Sequence, residues 1–156
     1  MPAENATGEP VGFLGHFKRG IERGRLIVPL DWRPEGAPTL YVFVGWPVPR
    51  PECLLALPPA RWQKLRAAVA EIPLVNGGTP DLERKLTEES FSRSLDSYGR
   101  FVLPDEALHK VGIRNEAVLV GRIDKWELWA PDRYEAMKSR PGVETLIERA
   151  FENLKV

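Results

Sequence analysis

Polar and apolar residues follow the same order in two short segments of the chain. One reads G-I-E-R-G-R-L-I-V-P from Gly20 to Pro29, and the other reads S-L-D-S-Y-G-R-F-V-L-P from Ser94 to Pro104. In both, a glycine and an arginine precede three apolar residues and a proline. Glycine allows the positive φ that closes a tight hairpin loop, apolar residues of this kind favour strands, and proline cannot donate to a strand ladder. The pattern therefore predicts two similar hairpins and an internal repeat.

A matching series of strands and a helix follows each hairpin segment. The predicted strands are Thr39–Gly45, Cys53–Leu57, Ala117–Gly121 and Trp126–Trp129, and the predicted helices begin near Pro59 and Pro131. Proline is well tolerated in a first helical turn, where its missing N–H has no intrahelical partner to lose. In the first helix, Trp62, Leu65 and Val69 recur at helical spacing, so we expect them to pack inward. The two halves together predict an α+β protein.

Breaks in this pattern divide the chain into five segments. We expect a disordered tail over residues 1–14, a first repeat over 15–75, a linker with a short helix over 76–90, a second repeat over 91–140 and a C-terminal helix over 141–156. The linker helix is expected to use Thr79 as its cap and Pro80 as its first residue. The C-terminal helix carries an apolar face, formed by Val143, Leu146, Ile147, Ala150 and Leu154.

Charge narrows the range of partners. The 156 residues include 22 basic and 22 acidic side chains, so the net charge is zero and a uniformly basic nucleic-acid binder is excluded. Positive charge gathers locally between Phe13 and Arg25, where five basic or imidazole side chains stand against the single acid Glu22: His16, Lys18, Arg19, Arg23 and Arg25. Such a stretch is either a solvated surface or a contact with phosphate.

The sequence contains no motif that indicates an enzyme or a membrane span. His16 and His109 have no ligand spacing around them, and the single cysteine, Cys53, can form neither a structural zinc site nor an intrachain disulfide. Phosphate-binding, dinucleotide-binding and nucleophile-elbow motifs are absent. No apolar run approaches the ~20 residues that a membrane span needs. We expect a soluble, cytoplasmic protein with no catalytic residue, metal or cofactor and no membrane contact.

Arg25 and Arg100 each lie directly after a loop glycine and therefore share a position in the repeat. A pseudo-twofold arrangement of the hairpins would present these two arginines as a pair. In that position an arginine can contact a phosphate or a guanine edge. Alternatively, Arg100 pairs with Asp96 and stabilises the turn. The motif alone leaves both interpretations open.

The segment Asp96–Arg100 matches the D-x-x-x-R motif that occurs once in each repeat of the MraZ family, bacterial transcriptional regulators of the AbrB-like, swapped-hairpin class. Val118–Trp129 also resembles the second half of that family, and the likeness extends from about Gly15 to Lys138. One departure stands out. In the first repeat Ile21 occupies the expected aspartate position, with Glu22 one residue away, and a shift of one residue along a strand moves a side chain to the opposite face.

The resemblance implies a fold in which two tandem swapped-hairpin repeats form one small β-barrel with peripheral helices. It also implies a nucleoid-associated regulator that assembles into a homo-oligomeric ring and binds promoter direct repeats in double-stranded DNA, upstream of the cell-division and cell-wall gene cluster. The DNA-binding residues would be Arg25, Arg100, Lys18, Arg19, Arg23 and Arg93. Asp96, Gly24 and Gly99 would maintain the motif structure.

Two other functions remain open. The protein could be an oligomeric interaction module that has lost DNA binding together with the first-repeat aspartate. It could also be an AbrB-like antitoxin whose C-terminal helix engages a protein toxin.

Overall fold

The computed structural model describes residues 11–75 and 77–156, which form an antiparallel α+β protein. The strands are β1 (His16–Gly20), β2 (Arg25–Ile27), β3 (Leu40–Trp46), β4 (Cys53–Leu57), β5 (Ser90–Ser94), β6 (Arg100–Val102), β7 (Glu116–Gly121) and β8 (Trp126–Trp129). The α-helices are α1 (Pro59–Ala70), α2 (Thr79–Glu88), α3 (Asp105–Lys110), α4 (Pro131–Lys138) and α5 (Val143–Glu152), and Leu30–Trp32 form a short 3₁₀ helix. The predicted α+β class is confirmed.

The strands form a six-stranded sheet in the order β1-β7-β8-β4-β3-β5 and a separate two-stranded ribbon of β2 and β6. Strands from one half of the chain pair with the other half, because β1 pairs with β7 and β5 pairs with β3. The ribbon strands are only three residues long, and the prolines at positions 29 and 104 prevent their continuation. Among the described residues, the strands lie in these two sheets, and closure into a single barrel is not observed.

The main core lies between the large sheet and the ribbon. Its fully buried side chains come from both sheets and from the 3₁₀ helix: Leu26, Trp32, Phe43, Phe101, Leu119, Trp126 and Leu128. Aromatic rings meet edge-on here, as in the pair Phe43 and Phe101, whose centroids are 5.1 Å apart. Such pairs add to the stabilisation that burial of apolar area provides. The core fixes the ribbon against the sheet, so the outer face of the ribbon has a defined position.

Helices α1, α2 and α4 cover the opposite face of the sheet. Trp62, Leu65 and Val69 of α1 pack against the sheet beside Leu55 and Leu57, as their spacing predicted. Helix α5 differs, because none of its residues is buried and its large apolar side chains are 57–73% exposed: Leu146, Ile147, Phe151 and, just beyond the helix, Leu154. No helix among the described residues is both long and apolar enough to cross a membrane.

Two local expectations need correction. Phe13 falls inside the predicted tail, yet its side chain is buried and its N–H donates to the carbonyl of Ile123 at 2.7 Å. Residues 1–10 of that tail lie outside the described residues. Thr79 is the first residue of α2 and Gly78 is the capping position, so the expected threonine cap is wrong by one residue.

Candidate nucleic-acid interface

The ribbon has one buried face and one exposed face. Leu26 and Phe101 pair across the strands and point into the core, where both are fully buried. Because side chains alternate along a strand, their neighbours point outward. These neighbours form what we call the ribbon face: Arg25, Ile27, Arg100 and Val102. The register places Arg25 opposite Val102 and Ile27 opposite Arg100, so each arginine faces an apolar side chain on the other strand.

The loop before β6 holds Arg100 in place through Asp96. The Asp96 Oδ1 atom accepts hydrogen bonds from the backbone N–H groups of Tyr98 and Arg100, both at 2.9 Å. Its Oδ2 atom accepts from Nε of Arg100 at 2.9 Å. The Arg100 guanidinium carbon also lies 5.0 Å from the centre of the Tyr98 ring, in cation–π geometry. The ion pair that stabilises the turn is therefore present, and it leaves the two terminal nitrogens of Arg100 without a hydrogen bond among the described residues.

The loop before β2 is one residue shorter. Arg23 and Gly24 both have positive φ, 54° and 76°, and the Arg25 N–H donates to the carbonyl of Glu22 at 3.0 Å. This is the geometry of a two-residue hairpin loop of type I′. The second loop has three residues between Asp96 and Arg100, and it is closed by a 2.9 Å bond from the Asp96 N–H to the Arg100 carbonyl. Hairpin loops of these two lengths cannot be aligned residue by residue.

Because the first loop is shorter, Ile21 is not the structural equivalent of Asp96. Glu22 is bridged to Arg25 across the loop, so Glu22 occupies the place that Asp96 has in the second hairpin. Ile21 is buried in the main core, and its N–H donates to the carbonyl of Asn115 at 2.9 Å. The expectation that isoleucine replaces the motif aspartate is therefore wrong. The first hairpin loop is one residue shorter than the second and has a glutamate at its base.

Arg25 is exposed and unconstrained. Within residues 11–75 and 77–156, no side-chain hydrogen bond or ion pair involves its guanidinium. It nevertheless lies close to Arg100, because both residues line one open depression of about 570 Å³, together with Glu22, Arg23, Ile27 and Asn115. The structure thus brings three of the predicted arginines to one surface. Asn115 was not foreseen, since a lone asparagine before a strand carries no recognisable sequence signal.

Backbone hydrogen bonds tie the two hairpins together reciprocally. The N–H of Leu103 donates to the carbonyl of Gly24 at 2.8 Å, and the N–H of Val28 donates to the carbonyl of Gly99 at 3.0 Å. Each loop glycine thus accepts a bond from the residue that follows the opposite ribbon strand. Because these bonds link backbone atoms, they hold the ribbon face in a fixed position with respect to both loops.

Of the other predicted DNA-binding residues, Arg93 contacts the ribbon, whereas Arg19 and Lys18 lie on opposite sides of β1. Nε of Arg93 donates to the carbonyl of Val102 at 3.0 Å, at the edge of the ribbon. Arg19 lies over the ring of Phe17 at 5.5 Å, on the core-facing side of β1. Lys18 points to the opposite side of β1 and forms an exposed ion pair with Glu116 at 3.5 Å. The described residues also contain no group of three or more His, Cys, Asp or Glu side chains suited to hold a metal ion.

Replacement of Asp96 by asparagine should remove a pH-dependent contribution to stability. Hydrogen bonds from the Arg100 backbone, assisted by the Arg100 side chain, lower the pKa of Asp96 below its ordinary value. A carboxylate whose folded pKa is depressed stabilises the fold above its unfolded pKa and loses that contribution as the pH falls through the folded pKa. We therefore expect the wild type to have a higher melting temperature than Asp96→Asn at pH 7, and we expect this difference to shrink towards pH 3. Thermal unfolding followed by circular dichroism measures it.

The exposed carboxylate of Asp81, which pairs with Arg84 on the same helix, provides the control. Asp81→Asn should change the melting temperature little at either pH. A melting difference for Asp96→Asn that is the same at pH 3 and pH 7 would show that the charge of Asp96 contributes nothing.

The fold and this site define an α+β protein with a two-stranded, arginine-bearing ribbon packed on an antiparallel sheet. Proteins named transcriptional regulator MraZ are similar to it. That of Pseudomonas aeruginosa is 31% identical over 119 residues, 74% of this chain and 77% of the relative. Those of Herpetosiphon aurantiacus and Roseiflexus castenholzii are 29% and 27% identical over 126 and 128 residues, about four fifths of this chain and more than four fifths of each relative. No protein-family model matches the sequence. The extent of this similarity places the chain in the MraZ family, as the resemblance predicted.

Proposed function

We propose that the protein is a sequence-specific DNA-binding transcriptional regulator without catalytic activity. The observation that carries the proposal is the exposed guanidinium of Arg25, which has no partner among the described residues and lies beside Arg100 on the ribbon face. The relatives of the chain are named transcriptional regulators. The proposal places it in the cytoplasm, associated with the nucleoid, without cofactor or membrane contact. Its targets are promoter direct repeats upstream of the cell-division and cell-wall gene cluster.

The ribbon is suited to the major groove of B-DNA. That groove admits a two-stranded β-ribbon, and arginine can donate two hydrogen bonds to the O6 and N7 atoms of guanine. The Arg25 side chain has no hydrogen bond or ion pair within residues 11–75 and 77–156 to give up when it binds. Arg100 uses only Nε to bond Asp96, so its terminal nitrogens remain available in an orientation that the carboxylate fixes. Arg23 and Arg93, beside the ribbon face, are placed to contact phosphates, which supply affinity without sequence preference.

We also propose that the chain consists of two swapped-hairpin repeats, over residues 15–75 and 91–140, joined by the linker 76–90. The strand pairing supports this arrangement. If β1, β2, β3 and β4 are exchanged with β5, β6, β7 and β8 in that order, each strand keeps the same pairing partners. The same exchange of the two halves converts the hydrogen bond from Leu103 to Gly24 into the hydrogen bond from Val28 to Gly99. An approximate twofold relation of this kind presents Arg25 and Arg100 from equivalent positions.

We further propose that subunits assemble into a ring through α5. The exposed apolar side chains of this helix support a protein contact, as large exposed apolar patches commonly mark interaction sites. Charge supports α1 of a second copy as the partner. The sequence of α1 contains Arg61, Lys64 and Arg66 and no acid, whereas α5 carries glutamates at positions 144, 148 and 152. A ring would combine many weak sites, so a neutral subunit could still bind DNA tightly.

Binding to the DNA upstream of the protein's own gene tests the regulatory function. Fluorescence anisotropy with wild type at 50 and 200 mM salt should show affinity that falls steeply with salt, as expected when cations contact phosphates. A scrambled duplex of the same length should bind more weakly at both concentrations. Salt-independent or undetectable binding by an intact oligomer would contradict the proposal and favour an interaction module.

The proposed role of α5 predicts separate effects on assembly and folding. In the double variant Leu146→Ser, Phe151→Ser we expect a smaller mass by light scattering, because two side chains that would be buried between subunits become polar. The melting temperature of the subunit should change little, since neither side chain is buried within it. The exposed Arg149→Ser, on the same helix, is the matched control and should keep the wild-type mass.

An unchanged mass of the double variant would contradict a subunit contact through α5. The exposed face would then favour the antitoxin-like alternative, in which a different protein covers this helix.

A further inference from the structure

The centre of the ribbon face is apolar although it is surrounded by arginines. Ile27 is 50% exposed and Val102 is 52% exposed, and each lies directly opposite an arginine. Both side chains point away from the core, in which their neighbours Leu26 and Phe101 are fully buried. A surface suited only to phosphate would gain nothing from two β-branched hydrocarbon side chains at its centre. The arrangement suits a ligand that offers apolar groups beside hydrogen-bond acceptors.

We propose that Ile27 and Val102 contact the C5-methyl groups of thymines in the major groove, beside the bases that Arg25 and Arg100 read. This inference rests on the proposed DNA binding and specifies how sequence is recognised. The thymine methyl is the one apolar group among the major-groove base edges, which otherwise display only donors and acceptors. A face that alternates guanidinium and hydrocarbon matches a groove in which guanine and thymine lie close together.

The spacing of the ribbon face agrees with that of stacked base pairs. Residues two apart on a strand, such as Arg25 and Ile27, are separated by about 6.7 Å. This distance is close to two base-pair steps of about 3.4 Å each along one DNA strand. Val102, opposite Arg25, and Arg100, opposite Ile27, repeat the same alternation on the other strand. The proposal therefore predicts thymines within about two steps of each guanine that is recognised.

Hydrogen bonds restrain both strands of the ribbon face. Arg100 is fixed by Asp96, and its cross-strand neighbour Ile27 lines the same depression. The Val102 carbonyl accepts a hydrogen bond from Arg93, so the backbone of this residue is also fixed. Ile27 and Val102 thus project from restrained backbone, and little ordering is needed when they contact a methyl group.

Deoxyuridine provides a direct test, because it lacks the C5-methyl group but keeps the hydrogen-bonding groups of thymine. Each thymine in the bound upstream duplex is replaced singly by deoxyuridine, and wild-type affinity is measured by anisotropy. We expect a loss of about three- to fivefold at the contacted positions, the scale of one buried carbon. In Ile27→Ser, which removes the hydrocarbon side chain from the ribbon face, at least one of these positions should become insensitive to the methyl group. Leu30→Ser, exposed but outside the ribbon, should keep the wild-type pattern.

The outcomes separate this inference from the proposed function. Salt-dependent wild-type binding with no sensitive thymine would overturn the methyl contact and leave DNA binding intact. An absence of DNA binding by wild type would overturn both. If Ile27→Ser changes the oligomeric mass and keeps the wild-type methyl sensitivity, Ile27 belongs to a contact between copies of the chain and the inference is wrong.

Discussion

Arg25→Ala is expected to abolish most of the affinity for the upstream DNA without lowering the melting temperature. A bidentate contact between arginine and guanine contributes ~1–3 kcal/mol of discrimination, about five- to 150-fold. Arg25 is exposed and its side chain has no partner within the described residues, so its removal costs the folded subunit almost nothing. If Arg25 also contacts phosphate, the slope of log affinity against log salt should fall by about 1.

Arg100→Ala should behave differently, which makes it an informative companion variant. It removes the partner of Asp96 and the cation–π contact with Tyr98, so we expect a lower melting temperature as well as weaker binding. The carboxylate left unpaired beside the DNA would add repulsion. Arg140→Ala, after α4 on the other side of the sheet, is the control and should match wild type in both assays. Equal affinity of Arg25→Ala and wild type would place the DNA site elsewhere.

The elements of the fold were largely predictable because their signals are local. Helix α1 followed from the spacing of Trp62, Leu65 and Val69, and the strands followed from apolar runs bounded by glycine and proline. The separation of the ribbon from the large sheet was not foreseen, although the prolines that cause it are visible in the sequence. Which strands pair depends on contacts between distant segments, and the same local pattern is compatible with a closed barrel or with two sheets.

The sequence indicated the shared position of Arg25 and Arg100 in the two hairpins but not the geometry around them. Glycine and arginine have the same spacing in both hairpins, which made Ile21 seem equivalent to Asp96. The equivalence fails because the two loops differ by one residue, and only the bridge between Glu22 and Arg25 reveals this. Arg100 pairs with Asp96, whereas Arg25 has no side-chain partner among the described residues. This difference depends on side-chain positions, which the sequence pattern does not give. By contrast, the separation of Lys18 from Arg19 follows from the alternation of side chains along any strand.

Gly24 lies where the two hairpins are hydrogen-bonded to each other, and its replacement should strongly lower stability. Its φ is +76°, and a Cβ atom at this position would lie 2.5 Å from the carbonyl oxygen of Leu103. That oxygen belongs to backbone that also donates the 2.8 Å hydrogen bond to Gly24. An alanine would therefore incur the left-handed backbone penalty and force the two hairpins apart. We expect Gly24→Ala to lower the free energy of unfolding by about 2–4 kcal/mol in urea denaturation.

Substitutions at two other glycines distinguish the steric clash with backbone from the penalty of the left-handed backbone conformation. Gly99 has a similar φ of +78°, but its Cβ would meet the guanidinium of Arg33, a side chain that can move at the cost of its hydrogen bond to the Val28 carbonyl. Gly99→Ala should therefore destabilise less than Gly24→Ala. Gly77 has open space around it and no positive φ, so Gly77→Ala should leave the free energy of unfolding within about 0.5 kcal/mol of wild type. If Gly24→Ala were as stable as Gly77→Ala, the loop could move away from Leu103 freely, and the fixed spacing of Arg25 and Arg100 on which DNA recognition depends would be lost with it.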